Sequence, residues 1–167
     1  MRLREIAAGG GPVARSTVNR GLFLGSEETD CQLKRWWFRF QEEAAAQSVP
    51  LRVHSGYRDK EHQNRLKAEG RSKAAWGHSP HNFGLAVDII HTTRAWDGMT
   101  REHWAMLGAL GKDLARRQKL DLVWGGDWSF YDPAHWEYKD WRIRAARKCP
   151  VGVKCIGKDG KVLCDGA

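Results

Sequence analysis

Two histidines and one aspartate lie close together in HSPHNFGLAVD, the segment from residue 78 to residue 88 of this 167-residue chain. GLAVDII, residues 84–90, alternates as a β-strand does: one face carries Leu85, Val87 and Ile89, and the other carries Gly84, Ala86 and Asp88. The first face is typical of a core. The second places a carboxylate beside small residues, which leaves room for a bound group above Gly84 and Ala86.

An acid in an apolar strand needs a partner, because burying an unpaired charge is costly. His81, in the loop that enters the strand, is close enough to Asp88 in sequence for both to bind one metal ion. His78, three residues earlier, is an alternative ligand. A histidine of this kind is also commonly a hydrogen-bonded structural residue.

A catalytic zinc site usually has three protein ligands and one water, so a third ligand must come from elsewhere. His135 is the best candidate, because in DPAHWEY it follows Asp132 by three residues and precedes Glu137 by two. Asp132 can cap a turn that begins with Pro133, which would bring Asp132 and His135 to the same side. One would bind the metal while the other holds the attacking water. Glu137 would support this site or be a carboxylate satisfied in the core.

The periodicity of the chain predicts the elements that position these residues. It indicates helices at 26–47, at 59–70 and from Thr100 onward, and strands at 51–57, 84–90, 120–128 and after the turn at 132–135. Helices and strands are mixed without a regular βαβ order. We therefore predict an α+β fold: a small, mainly antiparallel sheet with helices packed on one side and a zinc cleft on the other.

Three regions are expected along the chain. Residues 1–25 form a basic lead-in, and residues 26–146 form the principal domain. The composition becomes basic and cysteine-bearing after Trp141, which predicts a small C-terminal hairpin or tail, assigned to residues 147–167. Folding about Asp159-Gly160 would place Cys155 opposite Cys164, so these two are either disulfide-bonded or reduced thiols.

The composition limits the classes of partner. Hydrophobic residues make up 41% of the chain and charged residues 29%, which is typical of a globular protein. The net charge of +8 is spread along the sequence, so it favours anionic envelope polymers as readily as nucleic acid and predicts no specific nucleic-acid partner. Neither a secretory signal nor an apolar run long enough for a membrane span is visible. A monomer made in the cytoplasm is expected.

Three ordered motifs resemble one enzyme family. Ser79, His81, Gly84, Ala86 and Asp88 match S-x-H-x-x-G-x-A-x-D, while SGYRDKEHQ resembles the family's SGYR-x-x-x-x-Q and DPAHWE its D-x-x-H-x-E. The chain thus resembles the zinc peptidases of the D-alanyl-D-alanine carboxypeptidase superfamily, from about the first helix to Trp141. Its nearest branch is that of the L-alanyl-D-glutamate endopeptidases of bacteriophage lysins.

The resemblance implies a role for each matched residue. His81, Asp88 and His135 would bind Zn²⁺, and Asp132 would be the general base for the attacking water. Arg58 would stabilise negative charge beside the scissile carbonyl or a substrate carboxylate. Gln63 and Ser79 would hydrogen-bond the substrate. We add Trp76, Trp124 and Trp128 as candidate walls of the cleft, with core packing expected for at least one of them.

The implied activity is zinc-dependent hydrolysis of the L-Ala–D-Glu bond in the stem peptide of peptidoglycan. As a lysin, the protein would accumulate in the host cytoplasm and reach the wall when the membrane is breached. Two alternatives remain. One is a D,D-carboxypeptidase or dipeptidase acting on terminal D-Ala, which uses the same metal chemistry. The other is a non-catalytic basic module that binds wall polymer or nucleic acid, although an unligated Asp132 argues against a purely structural metal site.

Overall fold

A computed structural model describes residues 28–147, which contain a four-stranded antiparallel sheet and helices. The elements, in chain order, are α1 (Cys31–Ala46), β1 (Leu51–Ser55), α2 (Lys60–Ala68), β2 (Ala86–His91), α3 (Arg101–Arg117), β3 (Leu122–Trp124), β4 (His135–Tyr138) and α4 (Trp141–Arg147). Short 3-10 turns occupy Pro80–Phe83 and Gly125–Asp127. The strand order is β1-β2-β4-β3. The predicted α+β class is confirmed.

Residues 141–147, basic in composition, form the helix α4 at the end of the principal domain. The lead-in at residues 1–25 and the Cys155–Cys164 hairpin lie outside the described residues. Cys31 at the start of α1 is buried and disulfide-bonded. Within residues 28–147, no helix combines the length and apolar character needed to cross a membrane.

Helix α1 begins where Asp30 caps it. The Asp30 carboxylate accepts hydrogen bonds from the backbone N–H groups of Gln32 and Leu33, at 3.0 and 3.1 Å, which satisfies two otherwise unpaired donors. The apolar face predicted from helical spacing is buried in full: Leu33, Trp36, Trp37, Phe40 and Ala44. The indole N–H of Trp36 donates to the carbonyl of Gly111 in α3 at 3.0 Å, so the two long helices are joined inside the core.

Helix α3 approaches the sheet closely because it presents glycines to tryptophans. A Cβ added at Gly108 would lie 2.4 Å from the Trp124 ring, and one at Gly111 would lie 2.4 Å from the Trp136 ring. The rings of Trp124 and Trp136 stack with centroids 6.0 Å apart. Trp124, a candidate cleft wall, is therefore a core residue.

We expect Gly111→Ala to destabilise the protein by about 1–3 kcal/mol, although alanine normally favours a helix over glycine by about 1 kcal/mol. The reason is the overlap of the new methyl group with Trp136. Urea unfolding of a double-mutant cycle with Trp136→Phe measures this. The cost of Gly111→Ala should be smaller in the Trp136→Phe background; equal costs in both backgrounds would show that this contact is not the cause.

The register of the sheet brings distant residues together. Asp88 in β2 lies opposite His135 in β4, and on its other side it lies opposite Ser55 in β1. Between the pairs Val53/Ile89 and Ser55/Asp88 the register of β1 shifts by one residue, so β1 contains a β-bulge at His54. The sequence predicts that the side chains of β1 alternate strictly between the two faces of the sheet, and this alternation is interrupted next to Asp88.

The interpretation of Gly84 as an open floor residue is wrong. Gly84 precedes β2 and ends the 3-10 turn with a left-handed conformation, φ +63°. A Cβ there would lie 2.0 Å from the carbonyl oxygen of Glu28, so the chain entering α1 fills this space. The glycine is required by this close approach and by the positive φ.

Candidate metal centre

Three buried side chains converge at one point of the sheet. His81 comes from the 3-10 turn before β2, Asp88 from β2 and His135 from the start of β4. One ligand atom from each lies within 4.8 Å of the others. Oδ1 of Asp88 is 3.0 Å from Nδ1 of His135 and 3.3 Å from Nε2 of His81. Two imidazole nitrogens and one carboxylate oxygen form a donor set that suits zinc, and three protein ligands are the usual number in a catalytic zinc site.

In His81 and in His135, the ring nitrogen that faces away from Asp88 forms a hydrogen bond of its own. Nδ1 of His81 is 2.7 Å from the carbonyl oxygen of Gly56 and donates to it, which leaves the Nε2 lone pair for the metal. Nε2 of His135 is 2.9 Å from Oε2 of Glu137 and donates to it, which leaves Nδ1 for the metal. Such bonds fix the tautomer and orientation of ligating histidines. Of the two sequence interpretations of Glu137, the supporting role is the one observed.

The electrostatics favour an ionised aspartate between the histidines. Burial alone would raise the pKa of Asp88, but His81 and His135 hold it well below its usual range. Burial lowers the pKa of His81. Burial also opposes the charged form of His135, yet hydrogen bonds to Asp88 and Glu137 raise its pKa to about 9. Without a metal, His135 is therefore a cation between two carboxylates.

We expect zinc binding to release close to one proton per ion at neutral pH. His135 must lose a proton to become a ligand, and its raised pKa places that loss below pH about 9. Zinc affinity should therefore rise as the pH increases toward 9 and level off above it. Calorimetric titration with zinc in buffers of different ionisation enthalpy counts the released protons. Zinc binding that releases no proton at pH 7 would contradict the assignment of His135 as a ligand.

Glu137→Gln should weaken zinc binding by about 10–100-fold, because the charged partner of the His135 ring is lost while its shape is kept. Competition with a chromophoric chelator gives the dissociation constant. Glu42→Gln is the control: Glu42 forms an ion pair with Arg39 on the surface of α1, away from the histidines. Zinc affinities that fall equally in both variants would indicate a general charge effect.

Arg58 contacts the aspartate ligand directly. Its Nη2 donates to Oδ2 of Asp88 at 2.5 Å, and its Nε donates to Oγ of Ser55 at 2.7 Å. The side chains of Arg58 and Asp88 are each 12% exposed. A guanidinium has five N–H groups, so three remain for another acceptor. The structure thus places Arg58 beside the candidate metal ligands, and its role toward a substrate stays a prediction.

Asp132 lies at the start of the tight turn that leads into β4. Its carboxyl accepts a hydrogen bond from the backbone of Ala134, as a capping residue does, and its backbone carbonyl accepts from the N–H of His135 at 3.1 Å. Burial, and then the negative charge of Asp88, raise the pKa of Asp132. Gly125 allows this turn, because a Cβ there would lie 2.3 Å from the carbonyl oxygen of Asp132.

Gln63 and Ser79 belong to a network of hydrogen bonds that joins α2 to the loop before His81. Gln63 is completely buried, and its amide contacts Ser72, the carbonyl of Ala74 and Asn82. The Ser79 hydroxyl accepts from the His81 N–H at 3.4 Å in a capping box. These contacts indicate that Gln63 and Ser79 position the loop before His81, and they do not favour direct contact of either residue with substrate.

Sequence reasoning missed Asn82, which joins both parts of this network. Its side chain accepts from the N–H groups of Gly77 and Ser79 and donates to the carbonyl of Arg58. The signal was present, because Ser79 and Asn82 have the spacing of a capping box. His54 was also missed as a neighbour of the site, because the bulge that it forms next to the Ser55–Asp88 pair is not visible in the sequence.

Aromatic rings border the site. The half-exposed ring of Trp128 lies 5.2 Å from the His135 ring, so the prediction of Trp128 as a wall agrees with its position. On the β1 side, His54 packs edge-on against Trp96 at 4.3 Å. His78 is exposed and is not part of the ligand group.

Comparison with known proteins agrees with this geometry. A model of the D-alanyl-D-alanine carboxypeptidase family matches residues 72–138, the segment that contains all three candidate ligands and Asp132. The resemblance found in the sequence is thereby confirmed, and it supports a metallopeptidase.

Several solved structures share the fold. An L-Ala D-Glu endopeptidase of Serratia marcescens, ChiX, superposes with a TM-score of 0.57 and 23% identity, covering 79% of this chain and 91% of that chain. The vancomycin-resistance D,D-pentapeptidase VanY in complex with Zn(II) gives a TM-score of 0.50 and 21% identity, covering 71% and 76%. VanYB in complex with D-alanine-D-alanine gives 0.50 and 22%, covering 71% and 75%.

Proposed function

We propose, from the premise that this chain is a peptidase of the D-alanyl-D-alanine carboxypeptidase superfamily, that it hydrolyses the L-Ala–D-Glu bond of the peptidoglycan stem peptide with one zinc ion. The observation that carries the metal assignment is the convergence of His81, Asp88 and His135 with correctly held tautomers. When bound, zinc supplies a water of lowered pKa and polarises the scissile carbonyl.

The protein's own groups supply the remaining chemistry. Asp132, whose pKa is raised, accepts a proton from the attacking water and returns it to the leaving amine. The free N–H groups of Arg58 donate to the oxygen of the scissile carbonyl as it becomes negative. Trp128 restricts access of water from the His135 side.

The choice of bond rests on two supports. The sequence combines D-x-x-H, at Asp132 and His135, with SGYR and Gln63, the pattern of the lysin endopeptidase branch. The fold comparison also includes an L-Ala D-Glu endopeptidase, of whose chain 91% is covered. We extend the proposal to a lysin-like role, in which the enzyme acts on the wall after the membrane is breached and its basic surface favours anionic envelope polymers.

Digestion of purified cell walls tests the proposal. We expect new N-terminal D-Glu, loss of this product with a chelator, and recovery on addition of zinc. Release of free D-Ala would favour the D,D-carboxypeptidase alternative, which the likeness to a VanYB complex with D-alanine-D-alanine keeps open. Salt-dependent polymer or DNA binding without any hydrolysis would favour the non-catalytic module.

A further inference from the structure

The bulge in β1 changes which residue faces the metal ligands. With strict alternation, Ser55 would share the face of Val53, which is part of the core. The extra residue, His54, shifts the register, so Ser55 lies directly opposite Asp88. Opposed residues of an antiparallel pair point to the same face, and a bulge next to a site commonly redirects a side chain. The bulge therefore turns the Ser55 hydroxyl toward the metal centre.

The redirected hydroxyl has one clear partner. Ser55 is buried, and its Oγ accepts a hydrogen bond from Nε of Arg58 at 2.7 Å. The guanidinium is planar, so fixing Nε also fixes the direction of both Nη groups. One of these, Nη2, donates to Oδ2 of Asp88 at 2.5 Å. Ser55 and Asp88 thus hold Arg58 at two points.

This arrangement divides the two oxygens of Asp88 between different partners. Oδ1 lies 3.0 Å from Nδ1 of His135 and 3.3 Å from Nε2 of His81, at the metal site. Oδ2 is taken by Arg58. A short, charge-assisted hydrogen bond to the second oxygen of a carboxylate disfavours bidentate binding and so favours metal binding through the first oxygen.

We propose that Ser55 is a positioning residue that aims Arg58 at Asp88 and so limits this ligand to one metal-facing oxygen. The inference rests on the proposed zinc-peptidase function. Its consequence is that coordination positions stay free for water and the scissile carbonyl, while the three remaining N–H groups of Arg58 stay available to the substrate.

Substitution of Ser55 tests the proposal, with metal binding and spectroscopy beside activity. We expect Ser55→Ala to raise the zinc dissociation constant about tenfold and to weaken and shift the absorption of the Co²⁺-substituted protein, as coordination number increases. Hydrolysis should show a lower kcat with a smaller change in KM. Ser55→Thr keeps the hydroxyl and should restore the Co²⁺ spectrum and most of kcat.

Matched variants separate this role from general damage to β1. Thr92→Val removes an exposed hydroxyl that bonds to the carbonyl of Pro50 beside the same strand, and it should leave the spectrum and kcat unchanged. Arg58→Lys offers a point charge that cannot contact both acceptors, so it should reproduce the Co²⁺ spectrum of Ser55→Ala. Thermal unfolding verifies that each variant folds.

A Co²⁺ spectrum and zinc affinity of Ser55→Ala within twofold of the parent protein would overturn the proposal, as would failure of Ser55→Thr to restore them while folded. These readings need no substrate. A protein that binds one zinc ion with the expected Ser55 dependence but cleaves no stem peptide would refute the proposed function and leave this inference standing.

Discussion

Replacement of Asp132 by asparagine is expected to lower kcat/KM for stem-peptide hydrolysis by about 10²–10⁴-fold, the usual contribution of a general base. Asparagine keeps the shape of the side chain and can still accept a hydrogen bond from the backbone of Ala134, so the turn into β4 should persist. It cannot accept the proton of the attacking water. Zinc content should stay at one ion per chain, because Asp132 is outside the ligand group.

Asp127→Asn is the matched control for this prediction. Asp127 belongs to the same β3–β4 connection but is exposed and paired with Lys112 at 2.9 Å. Its substitution should leave kcat/KM within about twofold of the parent value, in line with the small contribution of surface ion pairs. A fully active Asp132→Asn protein would assign the proton transfer to another group, and an equal loss in both variants would indicate disturbance of the connection.

Loss of a metal ligand is expected to have the second large effect. His81→Ala removes one of three protein ligands and leaves the buried Asp88 carboxylate without a neighbour at 3.3 Å. Because the ion supplies several kcal/mol of transition-state stabilisation, the loss of hydrolysis should reach about a thousandfold or more. Chelation of the parent protein should produce the same loss, reversed by added zinc.

His78→Ala serves as the control, and it also tests the alternative that His78 is a metal ligand in place of His81. His78 precedes His81 by three residues, yet its side chain is exposed and outside the ligand group. Elemental analysis of both variants compares their zinc content with their activity. A protein that loses zinc through His78→Ala, or retains full zinc and activity through His81→Ala, would reverse the assignment of ligands.

Much of the scaffold could be predicted because its helices and their caps follow from local sequence patterns. The buried face of α1 from Leu33 to Ala44 follows helical spacing, and Thr100 caps α3 as expected. Prediction failed where local pattern and tertiary contact differ. Gly84, read as an open floor, is fully covered by the backbone of Glu28.

The sequence by itself determined which residue types are available for chemistry and, through three motifs in fixed order, the resemblance to a peptidase superfamily. His81, Asp88, His135 and Asp132 can be named from those motifs because their spacing suits a loop, a strand and a capped turn. Their chemistry depends mainly on side-chain type, which a sequence states directly.

Only the tertiary structure decided the orientation of these side chains relative to one another. The β2–β4 register places Asp88 against His135, and the carbonyl of Gly56 and the carboxylate of Glu137 select the histidine nitrogens that face the candidate metal site. The bulge at His54 turns Ser55 toward Asp88, although alternation alone would send it to the core. Strand pairing and register arise from contacts between residues far apart in the chain, and no local pattern contains that information.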